Sequence, residues 1–303
     1  MSNDAISTHS GRLLQFGALR LSGPDGANFL QGQVSNDTRQ LAAGNVLLAA
    51  YSNPQGRVLA ILHLIPHSAG ILAILPRELA APVRERLRKF VLRAKVQIDD
   101  ASESLAIAGH HGSDALARAD LPIPDPASGY VEADGIGVAR LGRDAGRFWV
   151  VGTAASLESR GLSGSAADAQ AIEHDWRLAD IRAGLPQVYA STSEQFVAQM
   201  LNLDLLDAIS FNKGCYTGQE IIARTQHLGR IKRRLRRLKL PEGAWQIGGA
   251  VRLADGRSGR LTEVARVGED CEALAVVNVD KAEGDEPGSA ELAGAELPLP
   301  YAI

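Results

Sequence analysis

The octapeptide Lys213-Gly214-Cys215-Tyr216-Thr217-Gly218-Gln219-Glu220 concentrates the chemistry-bearing residues of this chain. Cys215 is one of two cysteines in 303 residues. It follows a lysine by two positions and precedes an apolar run, Ile221-Ile222-Ala223, that reads as the first turns of a helix. Thr217 and Glu220 have the spacing of a capping box, in which each side chain takes the other's orphan backbone N–H. A thiol near a positive helix end and a lysine ammonium is biased toward the thiolate, the form that attacks electrophiles and ligates metals. Cys215 and Lys213 are therefore the candidate reactive pair. A glycine-flanked cysteine also suits a small filler in a tight turn, and spacing leaves both readings open. Cys271, after Gly268-Glu269-Asp270, reads as a structural residue at a strand edge. Two distant cysteines exclude a four-cysteine cluster site within one chain, and the histidines show no metal-ligand spacing.

A second set of residues suits a flat, polar-edged ligand. Trp176 lies on a helical pattern, four residues after Ile172 and five before Ile181, where core packing is the plainer role. Gln199 and Asn202 precede the cysteine motif at a spacing that puts them on one helical face. Their amides both donate and accept, as does any solvated amide pair. Gln31, Gln33, Asn36 and Asp37 form a polar group that turn geometry alone could require. From Lys213 to Lys239 nine Lys or Arg residues face one acid, Glu220. That density fits a charged edge strand, or a dock for an anionic tail, an acidic partner or RNA.

The elements that must hold these residues follow from patterning. Residues 13–22 and 45–75 read as strands, the latter broken by a turn at Pro66–Gly70 and too interrupted to span a bilayer. Leu79, Val83, Leu87, Phe90 and Val91 recur at helical steps over 76–95. A strand is expected at 94–98, others at 105–108 and 148–152, and a helix over 172–183 closed by Gly184. Three alternate prolines make 121–126 irregular. Beyond Leu235, short strands separated by Gly, Asp and Pro read as a small β module. Strands and helices mix without a βαβ rhythm, which defines an α+β class. A net charge of −3 argues against a surface built throughout for nucleic acid. The polar stretch from Met1 to Arg12 shows no secretory h-region, and with few cysteines a reducing cytoplasm is expected.

The cysteine octapeptide resembles the signature of the YgfZ family, folate-binding proteins linked to iron–sulfur cluster maintenance and related to the glycine-cleavage T-protein aminomethyltransferases. Gly26-Ala27-Asn28-Phe29-Leu30-Gln31-Gly32-Gln33-Val34-Ser35-Asn36-Asp37 resembles the family's N-terminal motif, and Leu87–Val96 its first long helix running into a strand. Trp176–Pro186 resembles its Trp-bearing helix, ending here in Arg182-Ala183-Gly184-Leu185-Pro186. The resemblance implies a T-protein-like body over residues 1–234, two interlocked subdomains split near residue 104 around a central folate channel, and a C-terminal β-barrel over 235–303. It implies tetrahydrofolate or a related folate as ligand, bound by Phe16, Trp176, Gln199, Asn202, Tyr216 and Gln219, with Cys215 and Lys213 as the thiol centre at the channel's rim. It implies iron–sulfur assembly proteins or client enzymes as partners, and an indirect effect on tRNA modification that does not require RNA contact, with an RNA-binding module using the basic run as a weaker alternative. T-proteins carry an acidic pair after a Gly-Gly turn, central to their reaction. The matching stretch here, Gln55-Gly56-Arg57-Val58-Leu59-Ala60-Ile61, has no carboxylate, which favours an accessory factor over an aminomethyltransferase or demethylase.

Overall fold

The Ile- and Leu-rich run before residue 76 folds into a hairpin at the heart of the first sheet. The computed structural model describes residues 10–125, 129–141, 146–227, 229–280 and 294–303. Its first strands are β1 (Gly11–Arg12), β2 (Phe16–Ser22), β3 (Leu47–Ser52), β4 (Val58–His67), β5 (Gly70–Pro76) and β6 (Gln97–Asp100). Helices α1 (Gly26–Gln31) and α2 (Arg77–Arg88) lie among them. Sheet order is β3–β4–β5–β2–β6. Gly70 closes the β4–β5 turn with φ of +123°, and a Cβ there would stand 2.5 Å from the Leu21 carbonyl oxygen. Such a backbone suits glycine.

The next strands are β7 (Ala106–His111), β8 (Tyr130–Ala133), β9 (Ile136–Arg140) and β10 (Arg147–Gly152), with short helices α3 (Asp114–Arg118) and α4 (Ala154–Ser159) between and after them. They form an antiparallel sheet in the order β1–β7–β10–β9–β8. Two apolar cores cover its faces. One holds Trp149, Val151, Ile107 and Ala139, the other Phe148, Val150, Ala108 and Val138. This is the alternation that a strand's period of two produces.

The long helix α5 (Ala169–Ala183) ends at Gly184, which takes φ of +66° as expected of a C-terminal glycine. Helix α6 (Gln219–His227) follows the cysteine motif. Strands β11 (Arg233–Leu240), β12 (Ala250–Arg252), β13 (Ser258–Val267), β14 (Asp270–Asn278) and β15 (Ala295–Leu297) pair in the order β12–β13–β14–β11–β15. The separate β module is thus present as a five-stranded sheet. Among the described residues it is not a continuously closed barrel. Its two edges meet at a single parallel bridge, Leu253 with Gly294.

Packing divides the chain into two compact units that interleave along the sequence. One comprises Met1–Gln31, Asp37–Leu48 and Leu62–Trp176; the other comprises Gly32–Asn36, Ala49–Ile61 and Arg177–Ile303.

Two local expectations change. The helix over 76–95 stops at Arg88, and Phe90 and Leu92 are 45% and 87% exposed, because the chain leaves the helical path through turn bonds such as Phe90 N–H to Leu87 O. Five of the nine cations of the basic run, Arg233, Arg234, Arg236, Arg237 and Lys239, lie on β11, which pairs with β14 on one side and β15 on the other, so it is no edge strand. Four of the nine are ion-paired: Arg234 with Asp204, Arg237 with Glu272, Lys239 with Asp270, and Arg230, ahead of the strand, with Asp280.

Candidate functional site

The residues singled out from sequence fall into two groups, one in each unit. In the first unit, Trp176 is buried on α5 and its indole lies nearly parallel to that of Trp149 on β10, ring centres 6.4 Å apart. Phe16 on β2 meets Trp149 at 5.4 Å, and the His63 ring on β4 meets it edge-on at 4.5 Å. The Arg147 guanidinium stands 5.1 Å above Trp176, whose other neighbour is His111 at 5.4 Å. Phe16 and Trp176 are thus brought into one aromatic cluster.

Small residues make room for these rings. Across the second sheet Trp149 pairs with Gly109 on one side and Ala139 on the other, while Gly109 also pairs with Gly11. A Cβ on Gly109 would stand 2.4 Å from the Trp176 ring. The cluster belongs to an apolar core that also buries polar nitrogens. Trp149 Nε1, Trp176 Nε1 and His63 Nε2 are all buried without a hydrogen-bond partner. Each such group costs about 1–3 kcal/mol when left unmet, and an apolar ring would avoid that cost. Burial, followed by the Arg147 guanidinium, lowers the His63 pKa to about 3, so the imidazole is neutral at physiological pH. Three neutral polar nitrogens therefore lie buried among these flat rings.

In the second unit, the Gly32–Asn36 segment forms the cradle of the cysteine loop. Lys213 turns inward: its ammonium donates to the Val34 and Asn36 carbonyls at 2.7 Å each and lies 4.9 Å over the Tyr216 ring. Ser35 Oγ donates to the Ala208 carbonyl at 2.6 Å, and Asn36 Nδ2 donates to that of Asp207 at 2.8 Å. Tyr216 is buried, and burial pushes its phenol up to about 12. Cys215 is exposed on this fastened loop, whereas Cys271 is buried and its thiol is pushed up by that burial.

The expected cap does not form. Gly218 adopts φ of +82°, so α6 begins only at Gln219 and Thr217 does not cap it. Gln219 Oε1 accepts the Tyr216 N–H at 3.3 Å, and the Thr217 N–H donates to the Gly32 carbonyl at 3.3 Å. Gly218 is constrained further because a Cβ would stand 2.6 Å from the Asn53 carbonyl oxygen, while at Gly214 a Cβ would meet nothing within 4 Å.

Gln199 and Asn202 sit on one 3₁₀ turn (Ala198–Leu201) and its left-handed cap, and both are fully buried. Gln199 Nε2 donates to the Ile222 carbonyl at 2.7 Å, and Asn202 Nδ2 donates to that of Leu235 at 3.1 Å. These two amides bind the turn to α6 and β11. Sequence reasoning did not single out Trp149, His63 or Arg147. Their signal is weak, a ring or charge inside an apolar strand. The Val34–Asn36 cradle was visible as part of a polar group, but its partner 177 residues away was not.

These arrangements belong to a recognisable class. The fold is that of the T-protein aminomethyltransferases: it matches the crystal structure of glycine cleavage system aminomethyltransferase T from Bartonella henselae with a TM-score of 0.69, at 18% identity, over 90% of this chain and 80% of that one. No family model matches the sequence. Among curated proteins, tRNA-modifying protein YgfZ of Colwellia psychrerythraea is 33% identical over 74% of this chain and 69% of its own. The YgfZ of Klebsiella pneumoniae is 32% identical over 83% and 72%. The chain belongs to the YgfZ family. Among the described residues, no helix is long and apolar enough to cross a membrane.

Proposed function

We propose that this protein binds a folate and serves tRNA modification as an accessory factor for iron–sulfur cluster assembly or repair, with Cys215 as its working thiol. The observation that carries the reading is the exposed Cys215 on a loop fastened by the buried Lys213 ammonium. A cysteine that only filled a turn would be covered, and a loop with no task would not warrant a buried cation. Relatives carrying the name tRNA-modifying protein supply the process, and the T-protein fold supplies the ligand class. Tetrahydrofolate would be held by the first unit near Phe16 and Trp176. Bound there, it would supply a reduced pterin able to accept or release a one-carbon unit. The protein's own part is to enclose that ring away from water and to offer neutral hydrogen-bonding groups.

Aminomethyl transfer is the weaker reading, since 55–61 holds no carboxylate and Arg57 instead donates to the Gln195 carbonyl. The deciding experiment places Cys215→Ser in a strain lacking the wild-type gene. Iron–sulfur enzyme activities and the modified-nucleoside content of tRNA should both fall to the level of the deletion. Full complementation by Cys215→Ser would refute the assignment of the thiol, and glycine-cleavage activity in the purified protein would favour the enzyme.

A further inference from the structure

The turn that ends α2 presents charge and apolar surface together. From Arg84 to Lys95 six cations stand against one acid, Glu85. Glu85 takes Arg84 at 2.8 Å and Arg88 at 3.6 Å; the other four, Arg86, Lys89, Arg93 and Lys95, have no ion pair among the described residues. Between them stand Phe90 and Leu92, and at 87% Leu92 is the most exposed large apolar side chain among the described residues. Backbone bonds hold this display in place. Phe90 N–H donates to the Leu87 carbonyl, Val91 N–H to that of Arg88, and Leu92 N–H to that of Phe90. At the far end the Asp25 carboxylate accepts the Lys95 N–H at 2.6 Å. An apolar pair held out in water adds nothing to folding, whereas a second surface gains by covering it.

We propose that residues 86–95 dock a partner protein through an acidic surface with an apolar pocket, Phe90 and Leu92 filling the pocket and the four free cations meeting its acids. That partner is a client of the accessory factor described above, a reading on which this one rests. An apolar anchor ringed by charge is the ordinary build of a protein interface. Other anionic partners fit less well. RNA phosphates would meet the cations and a base would stack on Phe90, but neither has a use for Leu92. A lipid surface would take both side chains, yet it is anionic over its whole extent. Here acids flank the tract: Glu85 on α2, Asp99 on β6, against which α2 packs, and the exposed Glu103 just beyond β6. A continuous anionic plane would press on those carboxylates, while a bounded protein patch avoids them.

The test places a photoreactive benzoylphenylalanine at position 92 of the full chain, in a strain lacking the wild-type gene, and maps the peptide cross-linked on irradiation. That peptide should come from another protein and carry acidic residues beside apolar ones. Lys89→Glu combined with Arg93→Glu should lower the cross-link yield about tenfold at an unchanged melting temperature. Reversing the mapped acids of the partner to Lys should restore the yield. Capture without that charge-swap rescue overturns the proposal. So does a cross-link that ribonuclease removes, one to lipid, or one to a second copy of this chain. In the same strain, Lys89→Glu, Leu92→Ser and Arg93→Glu together should bring iron–sulfur enzyme activities toward the level of the deletion. Full complementation by this triple variant overturns the docking surface and leaves the accessory-factor reading standing, since Cys215→Ser tests that one separately.

Discussion

Cys215 and Cys271 are chemically identical side chains that the fold places in opposite circumstances. Cys215 is exposed, while Cys271 is buried and its thiol is pushed up by that burial. The thiolate is the reacting species, so iodoacetamide at pH 7.5 should alkylate Cys215 and leave Cys271 largely unmodified until the protein unfolds. Peptide mapping by mass spectrometry reads the ratio, and equal labelling would show that the loop is not presented as described. The lysine two residues before Cys215 has a structural task of its own. Lys213→Met keeps the aliphatic stem but leaves the Val34 and Asn36 carbonyls without their charged donor. Unfolding stability should drop by about 2–3 kcal/mol, as for buried hydrogen bonds to a charged group, measured by urea denaturation. No loss of stability would mean that other donors reach those carbonyls.

At the scale of elements, the two glycines of the cysteine motif separate geometry from function. Gly218 has a positive φ and the Asn53 carbonyl against it, so Gly218→Ala should destabilise by more than 1 kcal/mol. Gly214 has neither constraint, and Gly214→Ala should leave the melting temperature within a degree or two. If Gly214→Ala then abolishes complementation in cells, a partner must approach the backbone at Cys215 closely. Wild-type behaviour of Gly218→Ala would remove the turn from the account. The same elements show how far sequence pattern reaches. The hairpin before residue 76, the helix closed by Gly184 and the C-terminal sheet all follow from periodicity and from Gly or Pro punctuation, which are local signals. The capping-box spacing starts α6 one residue too early because it says nothing about the φ of the glycine inside it. Trp176 is legible through its helical spacing and its motif. Trp149 and His63 become partners only through ladder register and the glycine lane beneath the rings, which no local pattern encodes. The charge run on β11 reads as a patch in sequence, whereas in the fold its acids arrive from Asp204, Asp270, Glu272 and Asp280.

For the molecule as a whole, pH should act through a carboxyl remote from the thiol loop's own chemistry. Glu263 on β13 is buried, 3.6 Å from the Arg177 guanidinium. Burial pushes its pKa from 4.5 up to about 8; Arg177 opposes the shift and Asp180 adds to it. The folded state therefore holds this proton more tightly than the unfolded chain, so Glu263 costs stability progressively as pH rises from about 4.5 to about 8. Glu263→Gln should remove that slope, and its melting temperature relative to wild type should climb across the window. A constant difference between the two proteins over that range would show that Glu263 ionises at an ordinary pH. The interleaved course of the chain also sets an order of events during synthesis. Val34 and Asn36, which receive the Lys213 ammonium, leave the ribosome 177 to 179 residues ahead of it. At roughly 5–20 residues per second, they wait on the order of 10–35 seconds for their cation. Until then the strand residues 49–61 of the same unit have only part of their eventual neighbours. The nascent chain thus carries an unfinished half for most of its translation, and the thiol loop is among the last parts to be fastened.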